Sequence, residues 1–316
     1  MGPPSSRVAV VQAEPAWLDL DGSVSKTVSL IAEAAEKGAE LIAFPECWIP
    51  GYPAWIWNRP LDLALNVRYT KASLDVNSAS FSNICEAAKE HAITVVLGFS
   101  ERHQGSLYMA QSIISSEGKV LMHRRKIKPT HMERTIFGES SGSSLNNVVD
   151  TGKAGRVGAL NCWEHAQPLL KYHTATQNED LHVAAWPPVY PHGAGEPYSM
   201  SKEGTHVLSQ AYAIEAATFV LHSSSVIGEK GMEVFKNPQG SMMSAPGGGC
   251  SAVFAPDGVK MSVDLPDNEE GLIVVDLDYD VLLQARAFLD VGGHYSRPDL
   301  LRLVVDKGEK KCVVYV

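Results

Sequence analysis

The feature that most constrains the fold is an alternation of short apolar strands with amphipathic helical stretches, which runs from residue 7 to about residue 290. Residues 7–13 (RVAVVQA) have the composition of a buried strand. Residues 23–37 then repeat apolar side chains at helical spacing and end before Gly38, a residue typical of helix ends. An alternation of this kind predicts an α/β fold.

The same periodicity assigns most of the remaining chain. Further strands are predicted at residues 41–45, 93–100, 107–115, 120–127, 156–161, 181–186, 219–225, 250–255 and 271–276, and further helices at residues 80–91, 169–176, 199–217 and 281–289. Residues 107–115 and 120–127 should form a hairpin with its turn at Glu117 and Gly118. We interpret the polar residues 128–147 as a long functional loop, and residues 227–249 as a second, Gly-rich loop.

No Pro-, Ser- or Gly-rich linker divides the chain, and no fixed-period repeat is present. A single domain over residues 1–316 is therefore expected, with a core at about 7–290 and a C-terminal extension at about 291–316.

Charge and cysteine usage exclude several classes of partner. The chain has 27 Lys and Arg against 36 Asp and Glu, and its basic residues cluster only at residues 123–126, so neither nucleic acid nor a membrane is an expected partner. No apolar run approaches the roughly 18 residues of a membrane span, and residues 1–6 do not resemble a signal peptide, so a cytoplasmic location is expected. The cysteines are odd in number, widely spaced and interpreted as free thiols: Cys47, Cys85, Cys162, Cys250 and Cys312.

Three predicted strands end in a reactive residue: Glu46 in FPE, Lys126 in RRK and Cys162 in NCWE. Functional groups in open α/β sheets gather beyond the carboxyl ends of the strands, so these side chains are expected to converge. A free thiol with a pKa of about 8.5 is only a few per cent thiolate at pH 7. A nucleophilic Cys162 would therefore need a base and a positive charge, which Glu46 and Lys126 can supply.

Each of these residues also has a structural interpretation. Most free cysteines are buried core thiols, so Cys162 fits a core position. Glu46 can equally cap a helix, and Lys126 can lie on a solvated strand edge. The repetition of reactive groups at three strand ends favours the catalytic interpretation.

Four longer motifs, in the order found here, are similar to those of the nitrilase branch of the carbon-nitrogen hydrolase superfamily, as in fungal and bacterial nitrilases. They are FPE with PGYP (44–46 and 50–53), HRRKIKPTHMER (123–134), GALNCWEH (158–165) and GGHYSRPDL (292–300). The resemblance covers nearly the whole chain.

This resemblance implies a four-layer α-β-β-α sandwich that assembles as a homodimer or larger homo-oligomer. It also implies that Cys162 is the nucleophile, Glu46 the base and Lys126 the third member of the site. A second glutamate, seven residues beyond the lysine in similar proteins, corresponds to Glu133. No organic cofactor is required, and the histidines lack metal-binding spacing, so neither a cofactor nor a metal is expected.

Aromatic residues crowd the segments around these motifs and suit an apolar substrate pocket. The residues assigned to this pocket are Tyr52, Trp163, His165 and Trp186. The reaction that the nitrilase resemblance implies is hydrolysis of a nitrile to the carboxylic acid and ammonia, through a thioimidate and a thioester on Cys162, and the aromatic residues favour an aryl or arylaliphatic nitrile. The alternatives are a cyanide or nitrile hydratase-like activity or an amidase at the same site, and, more remotely, a non-catalytic scaffold.

Overall fold

The computed structural model describes residues 4–193, 196–309 and residue 313. Within these residues the strands are β1 Ser5–Gln12, β2 Leu41–Ala43, β3 Thr94–His103, β4 Ser106–Ile114, β5 Val120–Arg125, β6 Val148–Asp150, β7 Arg156–Asn161, β8 Leu181–Trp186, β9 Phe219–Ser224, β10 Ala252–Phe254 and β11 Gly271–Asp278. The helices are α1 Leu20–Glu36, α2 Leu63–Ala72, α3 Ala79–Glu90, α4 Pro168–Ala175, α5 Lys202–Ala216, α6 Glu229–Phe235 and α7 Asp280–Phe288.

The strands form two mixed sheets. One has the order β11-β1-β2-β3-β4-β5 and the other the order β10-β9-β8-β7-β6. Strands β1, β2 and β3 are parallel, as are β7, β8 and β9. Because β4 is antiparallel to both β3 and β5, strand β5 again points in the direction of β2. The carboxyl ends of β2 and β5 therefore lie at one edge of their sheet.

The buried side chains show how the layers stack. Helices α1 and α3 pack through residues such as Ile31 and Ile84 on one face of the six-stranded sheet. The opposite face meets the five-stranded sheet in a second cluster that contains Val10 and Val183. The outer face of the five-stranded sheet is covered mainly by α5, through residues such as Tyr212. The resulting α-β-β-α sandwich confirms the predicted fold class.

The periodicity located most of these elements, and the predicted hairpin is β4–β5. The prediction was wrong in three places. It missed α2 and the short β6, and it assigned α6 to a loop. The loop at residues 128–147 contains two short 3-10 helices, His131–Thr135 and Gly142–Leu145. None of the helices in the described part of the chain is both long and apolar enough to cross a bilayer.

Candidate active site

The three reactive strand ends meet where the two sheets face each other. Lys126 directly follows β5, and its Nζ lies 2.9 Å from Glu46 Oε1, just beyond β2. Cys162 directly follows β7 in the other sheet. The Glu46 backbone N–H donates to the Trp186 carbonyl at the end of β8, 3.3 Å away, which links the two sheets at this point.

Glu133 completes the cluster from the loop between β5 and β6. Its Oε2 accepts from Lys126 Nζ at 2.8 Å and from the Thr130 backbone N–H at 2.6 Å. Its Oε1 accepts from the Tyr52 hydroxyl at 3.0 Å, and Trp57 Nε1 in turn donates to that hydroxyl. Glu133 is therefore fixed on both carboxylate oxygens, and Lys126 is held between two carboxylates.

Cys162 is held at a sharp turn beside this cluster. Its φ of +48° lies in the left-handed region, which non-glycine residues adopt rarely. The Cys162 sulfur and one carboxylate oxygen each of Glu46 and Glu133 all lie within 4.8 Å of one another. Glu46 Oε2 is buried and has no hydrogen-bond partner among the residues that the structure describes. A carboxylate oxygen left unpaired so near the thiol is placed to receive its proton.

Burial dominates the electrostatics of the site. It raises the pKa of Glu46 to about 8, although the Lys126 ammonium opposes this shift. Burial, followed by the Glu46 carboxylate, also raises the pKa of Cys162 well above its usual value, while Lys126 and the Trp163 backbone N–H act in the opposite direction. Burial alone would lower the pKa of Lys126, but the carboxylates of Glu133 and Glu46 outweigh it and raise that pKa. Lys126 therefore stays positively charged, and the pKa of Glu46 lies much closer to neutral pH than that of an ordinary carboxyl group.

A buried ion pair joins the strand that carries Lys126 to the turn that carries Cys162. Arg124 donates through two nitrogens to Glu164 at 2.8 and 2.7 Å, and both side chains are almost fully buried. The same carboxylate accepts from the backbone N–H groups of Asn161 and Ile127. The pair therefore fixes the backbone next to both Lys126 and Cys162.

A cavity of about 470 Å³ opens from the sulfur toward solvent. Cys162, Glu133 and Thr130 are among its lining residues. The other walls are largely aromatic and sulfur-containing, from Tyr52, Trp57, Trp163, Trp186, Tyr190, Met200, Met242 and Met243. An apolar cleft with a few convergent polar groups is the usual form of a small-molecule site.

Comparison with known proteins decides the family. A carbon-nitrogen hydrolase family model matches residues 7–287, which is most of the chain.

The chain belongs to the carbon-nitrogen hydrolase family.

Several relatives of this carbon-nitrogen hydrolase are fungal proteins named arylacetonitrilase. The one from Aspergillus kawachii is 58% identical over 308 residues, covering 97% of this chain and 94% of the relative. The one from Aspergillus oryzae is 54% identical over 314 residues, covering 98% and 94%.

Solved structures of more distant proteins share the fold. The NitFhit protein of C. elegans has a TM-score of 0.74 at 18% identity, covering 99% of this chain and 70% of that one. An amidase from Nesterenkonia sp. AN1 has a TM-score of 0.64 at 20% identity, covering 90% of this chain and 95% of that one. These similarities confirm the nitrilase-type sandwich.

The predicted site residues of this carbon-nitrogen hydrolase are placed as follows. Glu46, Lys126, Glu133 and Cys162 form one cluster. Three of the predicted pocket residues, Tyr52, Trp163 and Trp186, line the cavity.

His165, which the sequence assigned to the pocket, is fully buried and is not among the described residues that line the cavity. It lies behind the nucleophile, with its Nδ1 2.7 Å from the Cys162 carbonyl oxygen. The GGHYSRPDL motif that supported the family resemblance lies on an exposed segment after α7, where His294 and Tyr295 are exposed.

Sequence reasoning missed several residues that hold the site. The Arg124–Glu164 pair had a signal, since both residues belong to the motifs that carry Lys126 and Cys162. His182 had a weaker one, as a polar residue inside the apolar strand β8. The methionines of the 227–249 loop had none, because an irregular loop gives no periodicity from which to place its side chains.

Two groups of residues have metal-ligand types close together. In the first, formed by Glu46, Glu133 and Cys162, the Lys126 ammonium already binds both carboxylates as a cation would. The second is formed by His206, His222 and Cys250. There His206 Nε2 pairs with the Cys250 carbonyl and His222 Nδ1 with the Ser209 hydroxyl, so hydrogen bonding explains the arrangement. The four cysteines in the described residues are free thiols, and Cys312 lies outside the described residues.

Proposed function

We propose that this chain is a nitrilase that hydrolyses arylaliphatic nitriles, of the arylacetonitrile type, to the carboxylic acid and ammonia. The observation that carries the proposal is a buried Glu46–Lys126–Glu133 cluster beside Cys162, which lines a cavity rich in aromatic side chains. The names of the fungal relatives support the same substrate class.

The first chemical step is formation of a covalent thioimidate. Glu46 accepts the Cys162 thiol proton through its unpaired Oε2 as the sulfur attacks the nitrile carbon. Glu46 passes this proton to the nitrile nitrogen, so that the carbon–nitrogen triple bond becomes the C=NH group of a thioimidate on Cys162. The Lys126 ammonium and the Trp163 N–H stabilise the negative charge that develops near the sulfur and nitrogen.

Hydrolysis of the thioimidate takes two water molecules. Glu46 removes a proton from the first water as it adds to the carbon and passes that proton to the nitrogen, which gives a tetrahedral species with an –OH and an –NH2 group. Glu46 then moves the hydroxyl proton to the –NH2 group, so that the C=O bond forms and ammonia leaves. The remaining thioester is attacked by a second water, which releases the acid and restores the thiol. If the tetrahedral species expels sulfur instead of ammonia, the product is an amide, so the partition between the two leaving groups sets the acid-to-amide ratio.

The walls of the cavity favour an aromatic ring joined to the nitrile by a short spacer. Cys162 is one of the lining residues, and aromatic and methionine side chains form much of the rest of the lining. Polarisable methionine and ring faces suit aryl groups.

The direct test is a product assay with phenylacetonitrile, benzonitrile, a short aliphatic dinitrile, cyanide and phenylacetamide. Ammonia and phenylacetic acid in equal amounts, with phenylacetonitrile the best substrate, are the expected result. Amide without ammonia would replace the proposal with a hydratase, and turnover of phenylacetamide alone would replace it with an amidase. Absence of turnover with all five compounds would contradict an enzymatic role.

We also propose that the protein is a homo-oligomer. Large apolar side chains remain exposed on and beyond α7, including Phe288, Leu301 and Val304. Such a surface is typical of an interface between subunits. The cytoplasmic location stays a prediction from the sequence.

A further inference from the structure

A chain of buried polar side chains extends from the back of the nucleophile. His165 Nδ1 lies 2.7 Å from the Cys162 carbonyl oxygen, and His165 Nε2 lies 3.0 Å from His182 Nε2. His182 Nδ1 lies 2.8 Å from Glu179 Oε2, and the Tyr212 hydroxyl donates to the other oxygen of that carboxylate. These four side chains are at most 1% exposed, and none of them lines the cavity.

The direction of each hydrogen bond follows from the donors and acceptors. A carbonyl oxygen only accepts, so His165 Nδ1 carries a proton and donates to Cys162. Burial, followed by the neighbouring His182, lowers the pKa of His165 well below its usual value, so its Nε2 is an acceptor. His182 Nε2 must then donate to it. His182 therefore faces Glu179 through its other nitrogen, Nδ1.

The Glu179 carboxyl group joins His182 to Tyr212 through its two oxygens. Burial, followed by the Glu179 carboxylate, raises the pKa of Tyr212 well above its usual value, so the phenol keeps its proton and is the donor. The proton between His182 Nδ1 and Glu179 Oε2 joins the acidic group to the pair of imidazoles. The acidic group therefore lies two hydrogen bonds away from His165.

This arrangement acts on the peptide that follows the nucleophile. In a trans peptide the C=O and the N–H point in opposite directions. Because His165 binds the Cys162 carbonyl oxygen, the N–H of the same peptide, that of Trp163, points the opposite way, toward the sulfur. This N–H lowers the pKa of the Cys162 thiol, although burial and Glu46 raise that pKa by more. A carbonyl that accepts a strong hydrogen bond also makes its own peptide N–H a better donor, since chains of hydrogen bonds polarise one another.

We infer that Glu179, His182 and His165 are positioning residues for the nitrilase reaction: they hold the Cys162–Trp163 peptide in place and strengthen the Trp163 N–H as a donor to the negative charge that develops during turnover. The inference rests on the proposed function for its kinetic consequences. Its effect on the Cys162 thiol is independent of the substrate.

The test is Glu179→Gln. The amide can still accept from Tyr212 and donate to His182 Nδ1, so the hydrogen bonds remain while the acidic group is removed. Complete loss of one oxyanion donor lowers kcat about 100- to 1000-fold, so a weakened donor should lower kcat about tenfold, with KM changed less than about twofold. Alkylation of Cys162 by iodoacetamide, followed by mass spectrometry of the Cys162 peptide, should shift to higher pH.

The matched control is Ser209→Ala. It removes a hydrogen bond to another buried imidazole, His222, which stacks on Trp186 and does not contact the Cys162 peptide. This variant should keep the wild-type kcat and the wild-type alkylation profile. If Ser209→Ala changed both as much as Glu179→Gln does, the effect would be general loosening and the inference would be overturned.

Three further outcomes are decisive. Wild-type kcat and an unshifted alkylation profile in folded Glu179→Gln would overturn the inference. If melting shows that Glu179→Gln does not fold, His182→Gln, which can still donate to His165 but has no imidazole ring, must give the same two changes, and wild-type behaviour there would overturn it equally. A wild-type protein that hydrolyses no nitrile would refute the proposed function, while the alkylation profiles would still test the hydrogen-bond chain.

Discussion

At the scale of single residues, the placement of Glu46 decides how the site works. Its carboxyl group is fully buried and bound by Lys126 through one oxygen, and the other oxygen has no hydrogen-bond partner within the described part of the chain. The sequence identified this residue from its position at a strand end. It gave no means of anticipating the raised pKa, because that shift comes from burial between two sheets and from neighbours distant in the chain.

The raised pKa of Glu46 predicts a pH profile. A base must be ionised to accept a proton, so kcat/KM should rise with pH through about 8 instead of levelling off above the usual carboxyl value of 4.5. Initial rates of ammonia release across this range provide the measurement. Glu46→Gln should lose at least about 100-fold in kcat/KM, whereas Glu139→Gln, which changes a half-exposed carboxylate paired with Lys128, should keep the wild-type profile. A wild-type kcat/KM that rises near pH 4.5 and is constant at higher pH would contradict the raised pKa of Glu46.

Trp186 and Trp57 both line the cavity but should respond differently to truncation. Trp186 is fully buried and stacks on His165 and His222, so Trp186→Ala should lower the free energy of unfolding by about 3–5 kcal/mol. Trp57 is only half-buried, so Trp57→Ala should cost less stability and mainly change the ranking of phenylacetonitrile against aliphatic nitriles. Urea unfolding and substrate profiles check both variants. Equal stability losses would show that Trp57 is a core residue.

At the scale of secondary-structure elements, the sequence predicted best where the hydrophobic period was clear. Strands β7 and β8 have the predicted bounds because their apolar runs are buried on both faces. Helix α2 was missed because Leu63 and Val67 are exposed, so its apolar residues do not follow a single buried face. Strand β6 has only three residues, too few to show a period.

The link between β5 and the Cys162 turn gives a prediction about neighbouring arginines. Arg124→Leu leaves the buried Glu164 carboxylate without its positively charged partner, which should cost about 3–5 kcal/mol and lower activity by loosening the turn. Arg125→Leu removes a similar bidentate contact, to Glu101, but Arg125 is about one-quarter exposed and lies outside the site, so its cost should be smaller. Urea unfolding and kcat measure the two effects. A larger loss of stability in Arg125→Leu would refute the role given to the Arg124–Glu164 pair.

At the scale of the whole molecule, the site exists only because the two sheets stack. Glu46 and Lys126 come from one sheet and Cys162 from the other, and general rules of α/β folds placed them only near strand ends. The motif resemblance supplied their common role. Neither the fold rules nor the motif resemblance indicated the buried hydrogen bonds from the Cys162 carbonyl to Glu179. Glu179 lies in a polar turn, and its packing against α5 and β7 cannot be predicted from the sequence.

The exposed apolar surface beyond α7 predicts a homo-oligomer. Light scattering after size-exclusion chromatography should give a mass of at least twice the 34.2 kDa of one chain. A double variant, Phe288→Asp with Leu301→Asp, should shift the protein toward the monomer, because it places charges on two strongly exposed apolar positions. Val263→Asp changes an equally exposed apolar residue elsewhere and should leave the mass unchanged. A wild-type monomer would contradict the proposed assembly.

The most direct test of the central claim is intact-protein mass spectrometry during turnover of phenylacetonitrile, with the wild type and Cys162→Ala compared. On the wild type we expect an adduct with the mass of the thioimidate or the thioester, located to Cys162 by peptide mapping. Ammonia and phenylacetic acid should be released at the same time. Cys162→Ala should show neither adduct nor product. Turnover by Cys162→Ala, or an adduct on another residue, would contradict the role of Cys162 as the nucleophile.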